Sequence, residues 1–301
     1  MTAPLEAFFL AADADRDGRP GQRFCVLHTP RHTPRPAPRE ATPNALIVYV
    51  HPFAEEMNKT RRMAALQARA FADAGCAVLQ IDLLGCGDSS GDFGDASWND
   101  WVQDVTQAAG WLRARYAPTA PLWLWGLRAG CLVANEAASH IDDKVNFLFW
   151  QPVANGKALL QQFLRLKAAG EMLEGKGKGV IEGLKQQLAA GESVDIAGYR
   201  LSPGLAHGLE RASLTPAANA QRMLWLETST RDDAELSPAS AAPLARWQAA
   251  GVAVQSQLVP GPAFWQTTEI EEAPALIAAS VSCLSSIAPA TLAAREAVVA
   301  A

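Results

Sequence analysis

The residue at the centre of one sharp turn decides which chemistry this chain can perform. The stretch PLWLWGLRAGCLVANEAA, Pro121 to Ala138, predicts a short apolar strand, a turn of the form Gly-x-Arg-x-Gly and a helix. In the form Gly-x-Ser-x-Gly, such a turn presents a serine nucleophile at the edge of a sheet. The central residue here is Arg128, whose guanidinium stays protonated and cannot attack an acyl carbon. The spacing is that of an acyl-transfer site, whereas the residue type is not.

Three further features resemble the α/β-hydrolase superfamily. The stretch VYVHPF places His51 and Pro52 at the end of a strand, where that superfamily has a turn that lends a backbone amide to an oxyanion hole. The stretch IDLLGCGDSSG, Ile81 to Gly91, is similar to the Asp-x-x-Gly-x-Gly-x-Ser turn after the next strand. We call the turn at Arg128 the elbow. The order of strands, elbow, insertion and late strands also resembles that of the superfamily. The resemblance implies hydrolysis of an ester or acyl bond by a serine, a histidine and an acid.

A narrower resemblance rests on three stretches taken together: HPFAEEMNKTRR, WGLRAGCL and GPAFWQTTEIEEAP. They are similar to the group named exosortase A system-associated hydrolase 2, and the likeness covers nearly the whole chain. Members of that group belong to bacteria that make exopolysaccharide and sort proteins by a C-terminal PEP signal. The resemblance therefore implies a hydrolase-superfamily protein of that context, without implying a particular substrate.

The catalytic triad that the resemblance implies is incomplete in this sequence. Arg128 holds the nucleophile position, and Asp232 or Asp233 could fill the acid position in the loop after MLWLETS. The base should lie in the late loop VPGPAFWQT, which contains Phe264 and Trp265 and no histidine. Loss of such triad residues costs a serine hydrolase on the order of 10⁶ in turnover. We therefore predict a protein without ordinary serine-hydrolase activity.

An active hydrolase or acyltransferase that uses an unorthodox residue is the alternative. Cys131 lies about one helical turn beyond Arg128, although a free cysteine is more often a small buried residue. Ser89 lies in a glycine-rich turn, where serine commonly bonds its own backbone. His51 could act as a base from the oxyanion side, although a histidine at a strand end is more often a structural hydrogen-bonding residue.

Arg128 itself needs a negative partner. A guanidinium at the start of a helix meets the positive end of the helix dipole, and a buried, unpaired arginine is strongly disfavoured. In one interpretation, Glu55, Glu56 or Glu227 neutralises Arg128 and the ion pair closes the former site. In the other, Arg128 binds a carboxylate, a phosphate or a sugar acid of a ligand through its planar fork.

The residues predicted to contact a ligand come from three places: the turn after the strand that ends at His51, the elbow, and the late loop. Trp265 stands at the position of the missing histidine, where a flat aromatic wall suits a sugar or an acyl chain. We predict no metal site and no cofactor. The predicted ligand-binding residues are His51, Pro52, Phe53, Glu55, Glu56, Asn58, Lys59, Arg128, Ala129, Phe264 and Trp265.

The elements that must position these residues alternate between buried strands and helices. This rhythm predicts an α/β-hydrolase fold, a mostly parallel, doubly wound sheet with helices on both faces. The rhythm breaks after Trp150 and then resumes, which predicts an inserted helical lid. We predict the N-terminal part of the core at 1–154, the lid at 155–212 and the C-terminal part of the core at 213–301.

Composition narrows the classes of partner. The 301 residues are 49% hydrophobic and 19% charged, as in a globular domain, and the net charge of -5 without a basic run argues against nucleic acid. No segment approaches the roughly 18 apolar residues of a membrane span, and we expect no secretory signal. Five scattered cysteines favour reduced thiols and a cytoplasmic location. The predicted partners are a small anionic, acyl or glycan ligand, or a second hydrolase-family protein of the same pathway.

Overall fold

The computed structural model describes residues 5–13, 20–30, 42–116, 119–173 and 179–285. Its strands are β1 Leu5–Ala12, β2 Gly21–His28, β3 Leu46–Val50, β4 Ala77–Ile81, β5 Leu122–Leu127, β6 Val145–Trp150, β7 Val194–Ile196, β8 Tyr199–Leu201, β9 Ala220–Ser229 and β10 Ala253–Pro260. Its α-helices are α1 Glu55–Asp73, α2 Trp98–Arg115, α3 Ala129–Ala138, α4 Gly156–Leu173, α5 Val180–Ala189, α6 Pro203–Arg211, α7 Pro238–Ala249 and α8 Pro274–Ser285.

Eight of these strands form one sheet in the order β1-β2-β4-β3-β5-β6-β9-β10. The pairs β1–β2 and β2–β4 are antiparallel, and the remaining pairs are parallel. Strands β3, β5 and β6 are buried along their whole length, as expected for strands that helices cover on both faces. The predicted mostly parallel, doubly wound sheet is therefore confirmed.

The two faces of the sheet have separate cores. On one face, Phe71 of α1 packs on Trp125, and Ser280 of α8 accepts a hydrogen bond from the indole N–H of Trp150 at 2.9 Å. Helices α2, α3 and α7 cover the other face with the larger of the two cores. Because the sheet is parallel in its centre, the carboxyl ends of β3, β5 and β6 lie at one edge, where α1 and α3 begin.

The chain between β6 and β9 carries α4, α5, α6 and the antiparallel ribbon β7–β8. Phe163 of α4 packs on Phe53 with ring centroids 5.1 Å apart, and Tyr199 of β8 packs on Phe93 at the same separation. The segment therefore lies against the start of α1 and the loop before α2. That residues 155–212 act as a lid stays a prediction. No helix in the described ranges combines the length and the apolar character needed to cross a membrane.

Candidate functional site

The turn between β5 and α3 has the backbone of a nucleophile elbow. Arg128 has φ 55° and ψ -117°, a conformation that side-chain-bearing residues rarely adopt. A Cβ on Gly126 would lie 2.6 Å from the Cα of Cys131, and a Cβ on Gly130 would lie 2.2 Å from the carbonyl oxygen of Val50. Both glycines are therefore required by the close packing of the turn, which keeps its shape without a nucleophile at its centre.

Glu56 neutralises Arg128. The Nε and Nη2 atoms of Arg128 donate to Oε1 of Glu56 at 3.3 and 3.2 Å, and the guanidinium carbon lies 5.6 Å from the ring centroid of Trp265. Only 11% of the Arg128 side chain and 18% of the Glu56 side chain are exposed. Burial raises the pKa of Glu56, and the positive charge of Arg128 opposes that shift. An ion pair stacked on an indole therefore occupies the elbow.

The other two acids that were candidates for this role have different partners. Glu55 accepts hydrogen bonds from the hydroxyl of Tyr199 and from the amide of Asn58, both at 3.0 Å. Glu227 is buried and accepts from the indole N–H of Trp225 at 2.7 Å. Glu55 thus links the start of α1 to the ribbon β7–β8, and Glu227 is a core carboxylate.

Both ring nitrogens of His51 are engaged within the protein. Nδ1 lies 2.8 Å from the carbonyl oxygen of Pro52 and donates to it, which assigns the proton to Nδ1. Nε2 then accepts from the backbone N–H of Leu83 at 3.3 Å. Burial lowers the pKa of His51, so the ring is neutral near pH 7. This arrangement matches a structural histidine and leaves no free nitrogen for general base catalysis.

Ser89 and Cys131 are engaged in a similar way. The hydroxyl of Ser89 donates to the carbonyl oxygen of Asp82 at 2.5 Å and accepts from the backbone N–H of Phe24 at 2.8 Å. The thiol of Cys131 is fully buried, 3.8 Å from the carbonyl oxygen of Trp150, and burial raises its pKa. A buried, protonated thiol is a poor nucleophile. Both side chains hold neighbouring backbone in place.

The two candidate acids form no ion pair with Arg128 among the described residues. Asp232 and Asp233 are exposed in the loop after β9, and Asp233 contacts Arg231 at 3.4 Å. A triad acid works by orienting a histidine, and the late loop offers none. Nothing in this loop's geometry assigns either aspartate a catalytic role.

The remaining predicted residues divide between the elbow and the core. Ala129 opens α3 beside Arg128, where the first N–H groups of a helix have no intrahelical acceptor. Lys59 reaches the carbonyl oxygen of Gln266 at 3.5 Å and ties α1 to the late loop. Phe264 is fully buried on Trp150 and belongs to the core, as does Phe53 beneath α4.

Two features of this edge were not foreseen from the sequence. Ala54, between β3 and α1, has φ 50° and ψ -128°, so a second strained turn stands beside the elbow on the neighbouring strand. Oε2 of Glu56 and Nε1 of Trp265 are buried without a hydrogen-bond partner among the described residues. An unsatisfied buried polar atom costs about 1–3 kcal/mol. Ligand atoms that supply a donor to Glu56 and an acceptor to Trp265 would remove that cost.

The described ranges hold no group of three or more His, Cys, Asp or Glu side chains able to bind a metal ion. The groups described at the elbow are the ion pair, the indole of Trp265 and the first backbone amides of α3. Groups of these kinds suit non-covalent recognition of a ligand. They include no side chain that is both exposed and nucleophilic.

The chain is similar to hydrolases of known structure. A family model described as Serine aminopeptidase, S33 matches residues 41–169, which include the elbow. Human Protein ABHD12B is 33% identical over 101 residues, which are 34% of this chain and 26% of that protein's length.

Similar solved structures cover almost the whole chain. A thermostable carboxyl esterase from Bacillus coagulans has a TM-score of 0.60 at 13% identity and covers 95% of this chain and 99% of its own. XC6422 from Xanthomonas campestris, described as an a/b serine hydrolase without lid, has a TM-score of 0.52 at 16% identity and covers 95% of each chain. At these identities the likeness shows the fold, which is the α/β-hydrolase fold.

Proposed function

We propose that this chain is a member of the α/β-hydrolase superfamily in which serine-hydrolase chemistry has been replaced by binding of an anionic or acylated ligand at the elbow. One observation carries the proposal: Arg128 occupies the nucleophile position and is held there by Glu56. The family-model match and the hydrolase structures support the superfamily. The contacts of the elbow support the change of role.

The side chains described at and around the elbow support the loss of hydrolysis. The side chain at the elbow is a guanidinium, and Trp265 rather than histidine faces it from the late loop. Three residues could substitute for the missing nucleophile or base: His51, Ser89 and Cys131. The polar atoms of each contact neighbouring backbone carbonyl oxygens. An acyl-enzyme mechanism needs a nucleophile and a base in contact, and these contacts provide neither.

The elbow offers a defined way to bind an anion. A carboxylate or phosphate on a ligand would compete with Glu56 for the planar fork of Arg128, because that fork matches both groups in geometry. Trp265 provides an aromatic wall on which a sugar ring or an acyl chain can lie. The N–H of Ala129, in the first turn of α3, has no acceptor within the helix and adds a donor.

The resemblance to the exosortase A-associated group suggests a biological setting. In that setting we place the protein in the cytoplasm of a bacterium that makes exopolysaccharide, with a small anionic, acyl or glycan ligand. A second hydrolase-family protein of the same pathway is the partner that this setting suggests. The guanidinium of Arg128 and the indole of Trp265 are chemically compatible with such ligands.

The test of lost activity is intact-mass analysis after incubation with a fluorophosphonate probe, followed by peptide mapping. The probe reports any activated serine without a guess at the substrate. We expect no stoichiometric adduct, while XC6422 from Xanthomonas campestris, described as a serine hydrolase, becomes labelled as a control. A parallel incubation with iodoacetamide tests Cys131. A stoichiometric adduct on one serine, or rapid alkylation of Cys131 in the folded protein, would overturn the proposal and favour a hydrolase or acyltransferase with an unorthodox nucleophile.

A further inference from the structure

Helix α1 separates the elbow from a second concave region. One flank of the helix presents Glu56 and Lys59 to the elbow and the late loop. The opposite flank presents Met57, Arg61 and Arg69 to a cavity of about 400 Å³ bounded by β1, β2 and β4. We call this region the α1 cavity. Its volume lies within the range of roughly 300–1,000 Å³ that is usual for small-molecule sites.

The floor of the α1 cavity is apolar. Leu5 and Ala7 of β1 and Phe24 and Val26 of β2 line it on the outer strands. Leu5 is 55% exposed, so the apolar floor continues to the surface of the protein. Burying such surface under an apolar ligand group contributes roughly 25 cal/mol per Å².

Polar side chains also line the cavity, and one of them is a buried histidine. The ring of His28, which is buried, lies with Nε2 2.9 Å from Oε1 of Gln80, and His28 donates in this pair. Gln80 also lines the cavity. Burial and the nearby charge of Arg69 both lower the pKa of His28, so its ring is neutral near pH 7.

The charges that face the cavity do not cancel. Arg61 pairs with Asp82 at 3.2 Å, and the same carboxylate oxygen accepts from the backbone N–H of Asp88 at 3.0 Å. Arg69, two turns further along α1, is exposed and forms no ion pair with any residue of the described ranges. With His28 and His51 neutral and Arg61 paired with Asp82, one positive charge remains at the rim of the cavity.

We propose that the α1 cavity binds a small organic acid whose apolar body lies on the side chains of β1 and β2 and whose carboxylate is held by the guanidinium of Arg69. The planar fork of arginine suits a carboxylate, and a charge-assisted hydrogen bond is about twice as strong as a neutral one. The cavity shares no side chain with the Arg128–Glu56 pair. The proposal therefore stands or falls independently of the function proposed for the elbow.

Calorimetric titration with octanoate, and with octanol as its neutral match, tests this proposal. We expect octanoate to bind about tenfold or more tightly than octanol, because only the acid pairs with Arg69. Arg69→Gln should weaken octanoate about tenfold and leave octanol unchanged. Arg62→Gln is the matched control, since Arg62 is exposed on another side of the same helix and pairs with Glu272.

Two further variants place the bound acid. Ala65→Phe fills the cavity from α1 and should abolish binding, with the thermal unfolding transition of the variant confirming that it folds. Arg128→Gln removes the carboxylate-binding group of the elbow, so the octanoate that this variant still binds is bound in the α1 cavity. Equal affinity for octanoate and octanol, equal effects of Arg69→Gln and Arg62→Gln, loss of binding in Arg128→Gln, or no binding of octanoate at all would each overturn the proposal.

Discussion

Two arginines on opposite sides of α1 differ in burial and in their ion pairs. On the elbow flank, Arg128 is 11% exposed, is paired with Glu56 and is stacked on Trp265. On the cavity flank, Arg69 is exposed and has no ion pair among the described residues. The first guanidinium is satisfied within the protein, and the second is available to a ligand without displacing anything.

This difference shows that the backbone shape of a catalytic turn can persist where its side chains pair with each other. The elbow keeps the strained backbone at Arg128 and the crowded glycines, which a catalytic turn needs, but its side chains have closed on each other. The α1 cavity has no strained backbone among its charged residues, and yet it combines volume, apolar surface and an uncompensated charge. A ligand at the elbow must compete with Glu56, whereas a ligand in the α1 cavity meets no internal competitor.

The largest effect should follow from disturbing the elbow backbone. Gly130→Ala places a Cβ 2.2 Å from the carbonyl oxygen of Val50, a backbone atom that cannot move alone. We expect the free energy of unfolding to fall by about 3 kcal/mol or more, as measured by urea denaturation. Gly110→Ala is the control, because its Cβ would meet nothing within 4 Å in α2 and should stabilise the helix by about 0.5–1 kcal/mol. Equal, mild effects of the two variants would contradict the elbow geometry.

The next largest effect should follow from removing the internal competitor. Glu56→Ala leaves the largely buried guanidinium of Arg128 without its acceptor, and we expect a loss of about 2–3 kcal/mol in the free energy of unfolding. Glu55→Ala, one residue earlier and exposed, should cost less than about 1 kcal/mol. If both variants lose the same amount, Glu56 is not the residue that holds Arg128.

The sequence was sufficient to predict the elbow because its signal is local. Glycines two residues either side of Arg128 mark a turn that must pass close to backbone, and apolar runs on both sides define the strand and helix. The choice of Glu56 over Glu55 was beyond the sequence. Adjacent residues at the start of a helix point about 100° apart, and only the placement of α1 against β5 decides which one reaches the elbow.

The remaining features depend on segments that are distant in the chain. The α1 cavity lies between β1, β2, α1 and β4. The spacing of residues in the sequence does not predict a cavity between these elements. The strained turn at Ala54 could not be predicted from the sequence either, because a positive φ is common for glycine and rare for alanine. Local patterns thus predicted the turn and the fold, and tertiary packing decided the rest.

A smaller effect distinguishes the two arginines directly. Arg69→Gln should change the free energy of unfolding by less than about 0.5 kcal/mol, because the side chain is exposed and has no ion pair within the described ranges. Arg128→Gln should cost about 1–2 kcal/mol, because it leaves the buried carboxylate of Glu56 without its cation. The comparison is measured by urea denaturation at neutral pH. Equal costs would mean that the two flanks do not differ as the contacts indicate.

The smallest effect is a dependence of stability on pH. Because burial raises the pKa of Glu56 above its ordinary value of 4.5, the folded protein binds a proton at this carboxyl at pH values where the unfolded chain has released it. The contribution of Glu56 to stability is therefore complete below about pH 4 and declines as pH rises through the raised pKa. Glu56→Gln keeps an acceptor for Arg128 but cannot ionise, so its stability should decline less over this window than that of the unaltered protein. Urea denaturation at several pH values between 4 and 7 measures both slopes, with Glu55→Gln as the control. Parallel slopes for Glu56→Gln and the unaltered protein would show that the elbow carboxylate is not desolvated, and the elbow would then be as open to ligands as the α1 cavity.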